Sequence, residues 1–320
     1  MSGYLQGRAA HIDHHLSNVA INYRPAGFIA DQIFPVVQVP KQSDTYVIFE
    51  QSDLFRRETT KRSRGGEANK IHSRVSSASF YCENYALKAD VTLEDRANAD
   101  AIFVQHYEEG RVMRVQDALF LDWEARMAGQ VTNASNVGSS TAVGSSWEDY
   151  SASDPLGDLW TAIDNVELAT GYRPNRVLFS GTAWRHFRRN DKVIDKATNP
   201  NITGGGLYPS ARQVEDLLEM KVLVGNAWHN DAQEGLALNL SQIWGDHVLV
   251  YYAPEQPSIE APSFGYYFRW SAAGLPNMQV ERHPFDSRRH CSEVEIGYYQ
   301  DEVVTAKPLG FLVTNVTSSS

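Results

Sequence analysis

An α+β fold is predicted by three observations. Apolar residues recur at helical spacing through one unusually long stretch, residues 93–131. Strand-like runs fill most of the chain beyond residue 220. No internal repeat of 20–50 residues is visible, which excludes solenoids and propellers. With 320 residues, 42 % of them hydrophobic and 21 % charged, the chain is long enough for one large domain or two ordinary ones.

Taken in order, the first 40 residues show no sustained period. They end in Phe34-Pro35-Val36-Val37-Gln38-Val39-Pro40, where the prolines favour an extended run at a sheet edge. Thr45–Phe49 is apolar, β-branched and aromatic and reads as a strand, as do residues 75–87. Between them Arg56, Arg57, Lys61, Arg62, Arg64, Lys70 and Arg74 face only Asp53, Glu58 and Glu67, a segment of +4 in a chain of −10. Gly65-Gly66 near its middle suits the tip of a long protruding hairpin, which alone is marginally stable.

Residues 93–131 form the clearest helix. Thr92 is the expected N-cap, Glu94 and Asp95 fall where the helix dipole favours anions, and Val112, Val115, Leu119, Trp123 and Met127 make the apolar stripe. Unbroken, it would be ~57 Å long, against ~50 Å for a compact sphere of this chain. Either Gly110 breaks it or the subunit is flat. Residues 132–153, rich in Ser, Asn, Gly and Thr, read as a flexible connection. A second helix has Asp154 as N-cap, Pro155 at its first position and Gly171 past its end. Arg176–Ser180 reads as a buried strand, a helix begins at Thr182, and Ser210 with Gln213 forms a capping box opening a helix over 211–219. Further strands are expected at 222–224, 248–252, 266–270, 278–282, 293–299 and 311–316.

Composition and motifs speak against most chemistry. Net charge −10 and a pI near 5.5 argue against a duplex-DNA coat protein or a polybasic membrane binder, since phosphate binding needs a cationic face. No apolar run approaches the roughly 18 residues that span a bilayer, and no secretory signal pattern opens the chain. Cys82 and Cys291 are too few for a disulfide scaffold or a four-Cys zinc site and read as small core hydrophobes. His11, His14 and His15 match no metal spacing and read as polar surface. Gly204-Gly205-Gly206 lacks the Lys-Ser/Thr of a phosphate loop. Ser180-Gly181 resembles a nucleophile elbow, but Leu178 stands where that turn needs glycine. No catalytic, cofactor or metal residue is assigned.

The order of elements goes further. Tyr23–Val37 with Val39–Tyr46, then Glu94-Asp95-Arg96-Ala97-Asn98-Ala99, then Gly171-Tyr-Arg-Pro-Asn-Arg-Val-Leu-Phe-Ser-Gly-Thr-Ala-Trp184, and finally Val303–Val316 around Lys307-Pro-Leu-Gly-Phe-Leu-Val, resemble successive parts of HK97-fold major capsid proteins of tailed bacteriophages. The resemblance covers essentially the whole chain, and the order of the motifs is more specific than any one of them. It implies an N-terminal arm (1–42), an extended hairpin or E-loop (43–88), a peripheral domain with the spine helix (89–149) and its strands (263–302), and an axial domain (150–262 with 303–320).

The resemblance also implies a non-enzymatic virion protein, made in the host cytoplasm, that assembles with itself into hexamers and pentamers around double-stranded DNA. It implies partners: a portal protein, a cement or decoration protein where one is used, and a separate scaffolding protein, because only about 40 residues precede the E-loop. An acidic lining would let the genome slide. Lys61 and Lys70 lie in the element that carries a crosslinking lysine in some family members, but no matching Asn or carboxylate is found. The expected interface pairs the E-loop cations Arg56, Arg57, Lys61, Arg62, Arg64 and Lys70 with Glu94, Asp95, Asp100, Glu108 and Glu109 on a neighbour's spine helix. The alternatives are an encapsulin-type cargo shell and, from a different class, a hydrolase using Ser180.

Overall fold

The computed structural model describes residues 11–12, 27–49, 57, 60–62, 64–67, 75–98, 103–197, 208–258, 261–271 and 278–318. The first elements are β1 (His11–Ile12), α1 (Ala30–Ile33), β2 (Val36–Val39), β3 (Ser43–Phe49), β4 (Val75–Tyr81) and β5 (Glu83–Thr92). The helices α2 (Leu93–Asn98) and α3 (Phe103–Val131) follow, then β6 (Ser139–Ala142), α4 (Pro155–Thr170), β7 (Arg176–Ser180), α5 (Gly181–Arg189), α6 (Asp191–Ala197) and α7 (Ala211–Leu218). Strands complete the chain: β8 (Lys221–Gly225), β9 (Trp228–Asn230), β10 (Leu240–Gln242), β11 (Val248–Tyr251), β12 (Gly265–Trp270), β13 (Gln279–Arg282), β14 (Cys291–Val304) and β15 (Gly310–Thr314).

Two sheets carry the architecture. The first runs β1-β13-β14-β12-β2, with β5 also paired to the 14-residue strand β14. As the flanking prolines require, β2 is an outer strand, parallel to β12. The second runs β6-β15-β11-β7-β8. Its inner strands read as continuous apolar runs because both faces are covered. Val177, Phe179, Val248, Val250, Phe311 and Val313 point into a core with α4, α5 and α7. The alternating Leu178, Leu249, Tyr251 and Leu312 point into a second core with α1 and the end of α3.

Helix α3 bridges the sheets. Val112, Val115 and Leu119 pack on β5, β13 and β14, while Trp123, Met127 and Val131 enter the second core. The whole predicted stripe is buried, and Thr92 Oγ1 accepts from Asp95 N at 3.2 Å as the predicted cap. The single helix expected over 93–131 is instead α2 and α3, with 99–102 outside the described residues. Gly110 does not break it; it lies inside the 29-residue α3, which spans ~43 Å.

Three other expectations change. The strand expected over 75–87 divides at Cys82, whose N–H turns to Gln42 O (2.9 Å) as the chain passes from the hairpin into the first sheet. Residues 132–153 are not merely a connection. They supply β6, parallel to β15, and the fully buried Trp147, whose indole donates to Asp158 Oδ2 at 2.8 Å. Helix α6 has no counterpart in the sequence reading. The caps of α4 and α7 form as expected: Asp154 accepts from Gly157 N, Gly171 takes φ +73°, and the Ser210–Gln213 box closes.

Candidate functional site

The β3–β4 hairpin pairs antiparallel from Ser43↔Tyr81 to Phe49↔Val75 and is otherwise unpaired with either large sheet. Its root is held firmly. Gln42 and Cys82 exchange bonds, Cys82 N to Gln42 O (2.9 Å) and Gln42 Nε2 to Cys82 O (3.0 Å), and Tyr81 N donates to Asp301 Oδ2 at 2.9 Å. Phe80 stacks on Phe268 with ring centres 4.6 Å apart, and Tyr46 lies 5.3 Å from the same ring. Val37, Val39 and Tyr266 complete this cluster. Cys82 is fully buried in it, and burial, reinforced by Asp301, pushes its thiol up to about 11. Both cysteines are buried and unbridged. Toward the tip, Gly65 takes φ +79° and Arg62 Nε donates to Gly66 O at 2.5 Å.

The predicted interface residues divide. Arg57, Lys61, Arg62 and Arg64 are exposed. Arg56, Lys70 and Asp100 lie outside the described residues, as does the side chain of Glu108. Glu94 is exposed and Glu109 half-buried, while Asp95 lies 3.7 Å from Arg111 of the same chain. Among the described residues no ion pair joins the basic set to the acidic set within one chain.

Two polar nodes escaped the sequence reading. Glu124, on α3, is fully buried. Its carboxylate accepts from Ile29 N (3.1 Å to both oxygens), Ala30 N (2.8 Å) and Trp244 Nε1 (2.7 Å), tying α1, α3 and the β10–β11 connection together. Burial pushes its pKa up to about 7, although the three N–H groups favour the ionised form. Two residues farther along α3, Arg126 meets Glu302 (3.0 Å) and Tyr298 OH (3.2 Å) and lies 3.7 Å over the Tyr85 ring. Only a polar residue inside an apolar helical stripe could have signalled Glu124.

The Ser180 alternative is corrected by its surroundings. Ser180 is fully buried, and its Oγ caps α5 by accepting from Ala183 N at 3.2 Å, so it presents no nucleophile to a substrate. His11 sits in β1 opposite Arg282, while His14 and His15 lie outside the described residues. Among the described residues no group of three or more His, Cys, Asp or Glu is placed to hold a metal, and no helix is long and apolar enough to cross a membrane.

A separate hairpin, a long helix bridging two sheets and an outer strand β2 are the features on which comparison with known proteins bears. No family model matches the chain. The chain is 28 % identical to the major capsid protein of Pseudomonas phage JBD67, across 96 % of its own length and 98 % of the relative's. It is 24 % identical to the major capsid protein of Burkholderia phage BcepMu, across 84 % and 87 %. A phage-related protein from Bordetella bronchiseptica has the same fold (TM-score 0.70, 22 % identity, 95 % and 97 % covered). So does the capsid of cyanophage P-SCSP1u (TM-score 0.59, 12 % identity, 91 % and 88 % covered). A virus-like particle from Pyrococcus furiosus also shares it (TM-score 0.53, 12 % identity, 93 % and 95 % covered). The fold is the HK97-like fold of phage capsids.

Proposed function

We infer that this chain is the major capsid protein of a tailed phage, a structural protein of the virion that assembles with copies of itself into a closed shell. The observation that carries the reading is the match to a named phage major capsid protein over nearly the full length of both chains. That sequence kinship favours a phage head over an encapsulin-type cargo shell, whereas the fold alone is shared with a virus-like particle from Pyrococcus furiosus as well.

On this reading residues 1–42 are the arm and 43–88 the E-loop. The rest of the first sheet with α3 is the peripheral domain and the second sheet with α4–α7 the axial domain. Strand β6 goes with the axial domain, because its backbone pairs with β15. Hexamers and pentamers of this unit enclose double-stranded DNA, with portal, scaffolding and, where used, decoration proteins as partners, and the chain performs no catalysis. The exposed cations of the hairpin lie over a neighbour's acidic spine helix. Each exposed pair contributes only about 0.2–1 kcal/mol, but many copies act together.

Changing Arg56, Arg57, Arg62 and Arg64 to Glu tests the contact. Folded subunits with unchanged circular dichroism that fail to close into shells are expected, and parent assembly should weaken in high salt. Normal shells from this variant would remove the charge pairing. Electron microscopy of the parent particle, with a DNA-filled interior and one portal vertex expected, tests the phage-head reading itself.

A further inference from the structure

We propose that neighbouring copies of this chain join head to tail through their second sheets, the outer face of α4 on one copy seating against α5 and the β9–β10 hairpin of the next. The proposal rests on the shell-forming reading above and names the surfaces that such a shell would use.

Charge is divided sharply along this part of the chain. Residues 147–170 hold six acidic residues and no Lys or Arg, whereas residues 171–197 hold seven Lys and Arg against Asp191 and Asp195. The fold places these stretches over different halves of one sheet. Helix α4 packs on β15 and β11, while α5 packs on β7 and β8, toward the opposite edge. Some of the charge is satisfied internally, by Asp154–Lys192 (3.5 Å) and Glu148–His186 (4.0 Å). Farther along α4, Asp164 and Glu167 are exposed with no ion-pair partner among the described residues.

Both faces are also apolar. Leu168 is 87 % exposed and Trp160, two turns earlier on α4, 36 %, so the acidic pair is flanked by two exposed apolar side chains. On the other half, Arg185 and Arg189 form one exposed stripe of α5. Arg185 donates to Thr182 Oγ1, and Thr182 in turn donates to Gln242 at the foot of the β9–β10 hairpin. That hairpin carries Leu236 (67 % exposed) and Leu238 (69 %) on its loop, with the exposed Glu234 beside them and Asp231 engaged by His229 and Ser241. The loop is ordered rather than collapsed: Asn230 Oδ1 accepts from Ala232 N (3.1 Å) and Asn239 N (2.9 Å), and Asp231 N donates to Asn239 O (2.9 Å). The leucines are therefore held outward.

The acidic, apolar face of α4 and the basic stripe of α5 with the apolar loop beside it are complementary to each other and not to themselves. The contact they make is heterologous, and it closes into a ring when the rotation between copies closes. Uncovered apolar patches of this kind on a folded chain mark interaction sites, and opposite charge fixes which copy-to-copy register is allowed.

The test is a charge swap in the full chain. Asp164→Lys with Glu167→Lys, and separately Arg185→Glu with Arg189→Glu, should each lower the assembled fraction in sedimentation and negative-stain imaging by about tenfold or more at physiological salt. Circular dichroism should stay that of the parent, although Arg189 also hydrogen-bonds Tyr150. Combining all four changes should restore assembly to near the parent level, which a merely local role for any of these side chains would not do. Leu168→Ser, on an exposed site that cannot unfold the chain, should also reduce assembly. Parent-like assembly of either double variant, or no rescue in folded fourfold protein, overturns the pairing while leaving the shell reading intact. Failure of the parent itself to form particles overturns both.

Discussion

Glu124 should make the stability of the isolated subunit depend on pH, in a direction opposite to that of a salt-bridged carboxylate. Its folded-state pKa lies near 7, against 4.5 for an ordinary glutamate, so the folded chain holds this proton over a range where the unfolded chain has released it. The stability from this group is fully present below about pH 4.5 and is lost as pH rises through about 7, then levels off. At 1.36 kcal/mol per tenfold in acidity, the gap corresponds to about 3 kcal/mol. No discount for solvent applies, since the residue is fully buried. Glu124→Gln removes the titration but puts an amide N–H₂ into a pocket of N–H donors. The amide oxygen can serve Ile29 and Ala30 or the Trp244 indole, not both sets, so one interaction of about 1.5–3 kcal/mol to a charged acceptor is lost at high pH. Denaturant midpoints of parent and variant subunits, measured from pH 4.5 to 8.5, give the difference directly. The parent should lose stability relative to the variant between pH 5 and 7.5. A parallel pair of curves would refute the burial and hydrogen bonding assigned to this carboxyl.

Trp123→Ala should destabilise the subunit by about 3–5 kcal/mol. The indole is buried and its ring lies within 5.4–5.9 Å of Tyr267, Phe120 and Tyr298, so a parent-like melting temperature would place it at the surface instead. Cys82, with its thiol pushed up to about 11, should resist a thiol reagent at pH 8 until denaturant is added; prompt labelling of native subunits would mean the hairpin root opens readily. Trypsin should cut free subunits at the exposed Arg57, Lys61, Arg62 and Arg64 and cut assembled shells much more slowly, and equal rates would argue that no neighbour covers this loop.

What the sequence by itself determined is the set of features governed by near neighbours. The Thr92, Asp154 and Ser210 caps, the Gly171 terminator and the Val112–Met127 stripe are short-range matters of dihedral angle, dipole and period, and all are found. The apolar runs of β7, β11 and β15 were legible because both faces of their sheet are covered. Gly110 was a false signal. Its cost inside a helix is only about 1 kcal/mol, less than the burial of the stripe on either side supplies. Tertiary structure alone decided the rest. Strand β6 is fully exposed and Ser/Thr-rich, and it is a strand only because β15 offers it backbone partners, an interaction that leaves no side-chain pattern. Trp147 anchors a stretch whose composition reads as linker. Glu124 looks like one more helical glutamate until Ile29, 95 residues away, and Trp244, 120 residues away, bring their N–H groups to it. Likewise the acidic face of α4 and the basic face of α5 adjoin in sequence, and only the strand order of the second sheet sets them over opposite halves. Such features depend on groups far apart along the chain, and their energies arise only once folding has removed the water between them.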